Sequence, residues 1–91
     1  MNKTELIALM AHRSGHTQKV CEEVLTTFTD IVTETLADRG EKVVVTGFGT
    51  FEVRDRAARA GQNPRTGEAI VVPAQKTPAF RAGKLLKARV K

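Results

Sequence analysis

The sequence predicts an α+β fold: an N-terminal helical hairpin, a three-stranded antiparallel sheet with a protruding β-ribbon arm, and a short C-terminal helix, paired into an intertwined dimer. Three observations lead there. Apolar residues recur at helical spacing as far as Leu36, β-branched and alternating runs take over from Val43, and the turn sequence GQNPRTG at 61–67 separates two of those runs.

Asn2 followed by Glu5 has the spacing of an N-cap and capping box, and Leu6, Ile7, Met10 and Ala11 then recur at helical intervals. A first helix is expected to about Arg13, where Ser14 and Gly15 break it and Thr17 caps the next. Cys21, Val24, Leu25, Phe28, Ile31, Val32, Thr35 and Leu36 form one apolar stripe of a second helix, and Gly40 stands where its C-terminal cap belongs. Val43, Val44 and Val45 begin the sheet.

A regular strand puts residues three apart on opposite faces, so Phe48 and Phe51 share a core only if Gly47 and Gly49 allow a bulge or turn. Residues 50 to 60 are expected as one strand, with Glu52, Arg54 and Arg56 on one face and Phe51, Val53 and Asp55 on the other. Apolar content fades after Val53, as for a strand leaving the core for solvent. Glu68 to Val72 is the expected returning strand, and Pro73 fits only an edge. After Pro78 a last helix is expected, with Phe80 at its start, Leu85, Leu86 and Val90 on one side, and Arg81, Lys84, Lys87 and Lys91 on another.

At 91 residues the chain reads as a single domain, and one of that length buries only roughly 60 to 65 % of the surface its unfolded form exposes. The single cysteine, Cys21, has no partner in the chain for a disulfide. A second copy of the chain is the expected support, helices packed on helices with the sheets above. Residues 1–46 are expected to serve mainly as the dimerisation body, and Val24, Phe28, Ile31, Val32, Leu36, Val45, Phe48, Phe51 and Phe80 as the core of the dimer. No run of about 18 apolar residues is present to span a bilayer, and the first residues are not signal-like. A soluble, intracellular protein is expected, with no membrane partner.

Net charge is +5, with five basic residues against seven acidic in positions 1–46 and ten against three in 47–91, so −2 and +7 respectively. The positive field belongs to the second half and points to a polyanion, nucleic acid ahead of membrane. Catalysis has little to work with: there is no phosphate-binding GxxxxGK[ST] loop, GFGTF does not extend to GxGxxG, and Ser14 is the only serine. His12 and His16 are four apart, but Gly15 and the expected helix end lie between them, and surface histidines are the better reading. Cys21 reads as a small buried thiol. The four phenylalanines read as core rather than as base-stacking groups. No enzyme activity, metal or cofactor is expected.

Arg54, Arg56, Arg59 and Arg65 differ, because they line a ribbon with no core to serve. Arginine forks two donors onto phosphate or enters a narrow minor groove. A proline at the ribbon tip is a rigid apolar wedge for a base step.

MNKTELI, TGFGTFEVRDRAARAGQNPRTG and PAFRAGKLLK together resemble the HU and integration host factor family of bacterial DNA-bending proteins. The resemblance runs over essentially the whole chain, in register apart from about one extra residue near Asp38 to Gly40. This family is itself a standard example of architectural proteins that wedge and bend duplexes, so its mode of binding is implied here by the resemblance and not by the spacing of residues.

The resemblance implies a dimer whose arms, residues 54–75, embrace duplex DNA through the minor groove. Pro64 matches the intercalating proline, with Asn63, Arg65, Thr66 and Gly67 completing the tip and Arg54, Arg56 and Arg59 along the arm. Lys3, Lys76, Lys84 and Lys87 match positions on the body over which bent DNA lies. Gly47 and Phe48 match the saddle between sheet and body, and Phe51 and Phe80 match core positions. Gln62 stands where members commonly carry arginine. The expected function is nucleoid-associated, in the bacterial cytoplasm: binding duplex DNA with little sequence specificity, bending it, and favouring bent, nicked or junction forms. The alternative is a site-preferring protein of the integration host factor type, which shares the fold but recognises a defined site, and RNA stays open as a further partner.

Overall fold

The computed structural model describes residues 1–91. They form two compact units, Met1–Glu34 and Thr35–Lys91. The first is a helical hairpin of α1 (Lys3–Ser14) and α2 (Gln18–Glu34), which pack on each other. Asn2 caps α1 as its spacing predicts: the Glu5 N–H donates to Asn2 Oδ1 at 2.9 Å, a bond of a kind worth about 1 kcal/mol. Gly15 ends the helix in the left-handed region, its N–H donating to the Ala11 carbonyl. Thr17 caps α2 through Oγ1, which accepts from Val20 N–H at 3.1 Å. Ile7, Cys21 and Val32 are buried.

The second unit opens on a π turn, Thr35–Arg39, in place of the unbroken α-helix to Gly40 that the apolar stripe predicts. The Glu41 N–H donates back to the Thr35 carbonyl at 3.2 Å. A π turn takes up one residue more than an α turn, which widens the end of the helix before Gly40. The turn packs against β2.

Strands β1 (Val43–Val45), β2 (Gly49–Arg56) and β5 (Gln75–Ala82) form the three-stranded antiparallel sheet in the order β1-β2-β5. Between β1 and β2 the chain turns, Phe48 N–H donating to the Val45 carbonyl at 2.9 Å. Gly47 makes this possible with φ 88°, a conformation that a side chain would strain. The turn brings Phe48 onto Phe80 at a ring-centroid distance of 5.2 Å, and Phe51 lies 5.0 Å from the same ring. The two phenylalanines therefore share one aromatic cluster despite their awkward spacing, with Phe80 between them.

Phe80 does so from a strand. Residues 75–82 pair with β2 along its whole length, Phe80 opposite Phe51 and Pro78 opposite Val53, so the expectation that Phe80 begins a helix is overturned. Pro78 is tolerated because β5 is an edge strand, where a missing N–H breaks no ladder on the outer side. Helix α3 begins only at Lys84, after Gly83, and ends at Val90. Arg81 accordingly belongs to β5 and not to a basic helical side.

The arm is a second, two-stranded ladder of β3 (Arg59–Gln62) and β4 (Ala69–Val72). Residues 50 to 60 are thus not one strand. The β2–β5 ladder ends at Arg56 opposite Gln75, the β3–β4 ladder starts at Arg59 opposite Val72, and Ala57, Ala58, Pro73 and Ala74 lie between. Pro73 has no N–H to donate, and the pairing is interrupted at its level.

Candidate nucleic-acid interface

Residues opposite one another in an antiparallel ladder share a face. The register of β1, β2 and β5 therefore puts Val44, Thr50, Glu52, Arg54, Arg56, Thr77 and Arg81 on one face of the sheet. Val43, Phe51, Val53, Asp55, Lys76 and Phe80 lie on the other. The first face is polar and basic and the second carries the aromatic cluster. Arg54 and Arg56 share a face as their alternation predicts, whereas Lys76 is on the opposite face, level with Asp55.

One residue of the basic face escapes a motif-led reading of the sequence. Arg81 stands next to Glu52 across the β2–β5 ladder, and the Glu52 carboxylate lies 3.4 Å from Arg54 and 4.0 Å from Arg81. The carboxylate side chain is only 14 % exposed, against 59 % and 58 % for the two arginines. The anion is tucked into the sheet and the two guanidinium groups stand out from it, with donors left over for an incoming phosphate. The signal that would have found Arg81 is the alternation of Thr77, Ala79 and Arg81 against Pro78 and Phe80, visible once the stretch is taken as a strand.

The ribbon carries the charge further. Arg59 lies at its base, on the same face as Gly61, Ile70 and Val72, while Gln62 shares the other face with Ala60, Ala69 and Val71. Beyond Gln62 comes the tip. Asn63 N–H donates to the Glu68 carbonyl at 2.8 Å, and Gly67 N–H donates to the Asn63 carbonyl at 2.7 Å. Asn63 Oδ1 accepts from Arg65 N–H at 2.9 Å and Thr66 Oγ1 from Glu68 N–H at 3.3 Å. Gly67 closes the loop at φ 74°. Pro64, Arg65 and Thr66 are exposed, whereas Asn63 is half-buried. The predicted tip is one hydrogen-bonded turn presenting a proline and an arginine to solvent.

Lys84 and Lys87 are exposed on α3 and Lys3 opens α1. Gly47 and Phe48 form the turn ahead of β2, with Leu85 3.7 Å from where a Gly47 Cβ would stand. Of the expected core, Val32 is buried, while Val24, Phe28, Ile31, Phe48 and Phe80 are 59, 39, 53, 46 and 40 % exposed. Leu36, Val45 and Phe51 are half-buried.

Elsewhere, Cys21 is buried, with Ser14 Oγ 3.8 Å from its sulfur. Ser14 Oγ also accepts from the His16 N–H at 3.2 Å. No group of three or more His, Cys, Asp or Glu residues is placed to hold a metal ion. No helix is long and apolar enough to cross a membrane.

Comparison with known proteins agrees along the whole length. The family model described as bacterial DNA-binding protein matches residues 1–91. DNA-binding protein HU of Lactococcus lactis is 56 % identical over 90 residues, covering 99 % of this chain and 98 % of the relative. The HU protein of Geobacillus stearothermophilus is 52 % identical over 91 residues, covering both chains completely. Among solved structures, the Anabaena HU–DNA cocrystal structure superposes with a TM-score of 0.90 at 43 % identity, covering 99 % of this chain and 97 % of that one. With the α+β architecture, the basic sheet face and the NPRTG tip in place, the match settles the kinship: this chain belongs to the bacterial DNA-binding protein family of HU and integration host factor.

Proposed function

We propose that the protein is a non-enzymatic architectural component of the bacterial nucleoid: a homodimer that grips duplex DNA with two ribbon arms and bends it with little regard to sequence. The observation that carries this reading is Pro64, exposed at the end of a ribbon that no apolar core requires, with Arg54, Arg56 and Arg59 leading up to it. The HU–DNA cocrystal of the Anabaena relative supports duplex DNA as the ligand.

The exchange of free energy is simple. Smooth bending of a 20 to 30 base-pair site costs on the order of 1 to 6 kcal/mol, offset by phosphate contacts along the arms and the basic sheet face. An apolar wedge without an N–H unstacks a base step and localises the bend. Nicked, gapped and four-way DNA has lost part of its stiffness and binds more tightly on this mechanism. The dimer has its own support: a single chain leaves Val24 and Ile31 in the helical unit, and separately Leu85 and Val90 in the other, more than half exposed, and exposed apolar residues of this kind are what a partner covers.

The test is bending by energy transfer on an end-labelled duplex, comparing the parent with Pro64→Ala over a salt series. The reading requires that the variant keep a similar salt slope and lose most of the bend. Equal bending by both proteins removes the wedge and leaves wrapping on the basic face as the mechanism. Binding by the parent without any bend removes the architectural function itself.

A further inference from the structure

We infer that Asn63 is a positioning residue for Pro64: its side-chain oxygen, by holding the Arg65 N–H, fixes the attitude at which the proline meets the duplex. The inference rests on the wedge reading above and deepens it, since Asn63 would otherwise count as one more groove contact.

Asn63 spends its N–H, its carbonyl and its Oδ1 inside the tip. Its N–H binds the Glu68 carbonyl, its carbonyl receives Gly67 N–H, and its Oδ1 receives Arg65 N–H. The side chain is half-buried while its neighbours Gln62 and Pro64 are exposed. A group already engaged on the inner side of a turn is poorly placed to read a base edge.

The proline makes this bond necessary. Pro64 has no N–H, so Arg65 supplies the first donor after Asn63 that a side chain can capture, and an asparagine oxygen two residues back meets it in an Asx turn. Proline also biases its predecessor toward extended backbone, which suits the end of β3. Within the loop, the bond from Arg65 N–H to Oδ1 is the one that spans Pro64 alone. The Gly67 bond closes the whole loop and leaves the middle free to rock.

A wedge works in proportion to the time it spends correctly aimed. If loss of the Oδ1 bond leaves the tip competent about a third of the time, the bent complex weakens about threefold. Phosphate binding along the arm does not depend on the tip and stays as it was. The signature is a lower bent fraction at unchanged salt slope.

The experiment compares the parent, Asn63→Ala, Asn63→Asp and Pro64→Ala in the energy-transfer assay at saturating protein, with amide hydrogen exchange measured on each free protein. Asn63→Ala is expected to speed exchange at the Arg65 amide and lower the bent fraction by up to about threefold. Asn63→Asp keeps the acceptor, so exchange stays slow and the bent fraction recovers, although its charge weakens binding overall. If Asn63→Ala bends DNA like the parent while Pro64→Ala does not, the positioning role is wrong and the wedge survives. If Asn63→Asp protects the Arg65 amide but bends no better than Asn63→Ala, the amide nitrogen contacts DNA directly and positioning is again overturned. If Pro64→Ala bends normally, the wedge reading itself has failed, a result separable from the other two.

Discussion

The Glu52 carboxylate stands between Arg54 and Arg81, 3.4 Å from one and 4.0 Å from the other, on the basic face of the sheet. An acid in that position neutralises one of two positive charges and repels any phosphate that approaches them. Both arginines are more than half exposed, so the pairs add at most about 1 kcal/mol to stability. Glu52→Gln is therefore expected to leave thermal stability within that margin and to tighten duplex binding severalfold at low salt. Titration at several ionic strengths checks it, and weaker binding by the variant would show that the acid holds the arginines in place rather than competing for them.

Arg81→Ala tests whether this face touches DNA at all. Removing one phosphate contact lowers the slope of log affinity against log salt by about 0.9. The expected result is a slope reduced by that amount, with the same weakening on every duplex sequence. A slope equal to the parent's would confine the interface to the ribbon.

Gln62 shares a ribbon face with Ala60, Ala69 and Val71, next to the tip. As a neutral amide it releases no counterion. Gln62→Arg is expected to tighten binding and to steepen the salt slope by up to about 0.9. Fluorescence anisotropy on one duplex across a salt series measures both quantities, and an unchanged slope counts against a phosphate near this position.

Gly49 is pressed from two sides. A Cβ there would stand 2.7 Å from the Arg81 carbonyl and 2.6 Å from Phe80 Cε1, inside van der Waals contact with a backbone atom that cannot swing away. Gly49→Ala is expected to destabilise by about 1 to 3 kcal/mol through overpacking, seen as a lower Tm by calorimetry. A neutral result would mean that the β2–β5 pair gives way easily at this end.

Val24 is 59 % exposed on α2, on the stripe expected to meet a second subunit. If assembly covers it, the parent's Tm rises with protein concentration, because association stabilises by mass action. Val24→Lys is expected to abolish that dependence and lower Tm, and sedimentation would show the monomer. A Tm independent of concentration in the parent would remove the dimer.

Local chemistry was legible in the sequence wherever a feature is fixed by its neighbours. Asn2 and Thr17 cap the helices their spacing predicts, and GQNPRTG folds into the turn its composition demands. The misreadings share another cause, since they depend on distant partners. Pro78 looks like a helix boundary because nothing nearby reveals that residues 75–82 lie along β2 as an edge strand. The break after Arg56 lies level with Pro73, far along the chain, across the ladder. The π turn at Thr35–Arg39 leaves no periodicity of its own, since the apolar stripe runs smoothly into it. The pairing of Arg81 with Glu52 is hidden for the same reason as the strand around Pro78: it exists only across the β2–β5 ladder.

The interruption between the two ladders bears on how such a protein mounts its substrate. Ala57, Ala58, Pro73 and Ala74 have no ladder partner at the same level on both strands, so no strand pairing ties the ribbon to the sheet below at that level. A rigid clasp would have to be threaded from a strand end, and a covalently closed circle offers none. On the proposed function, an arm hinged at its root would close sideways over the duplex wherever the two meet, and would let go the same way.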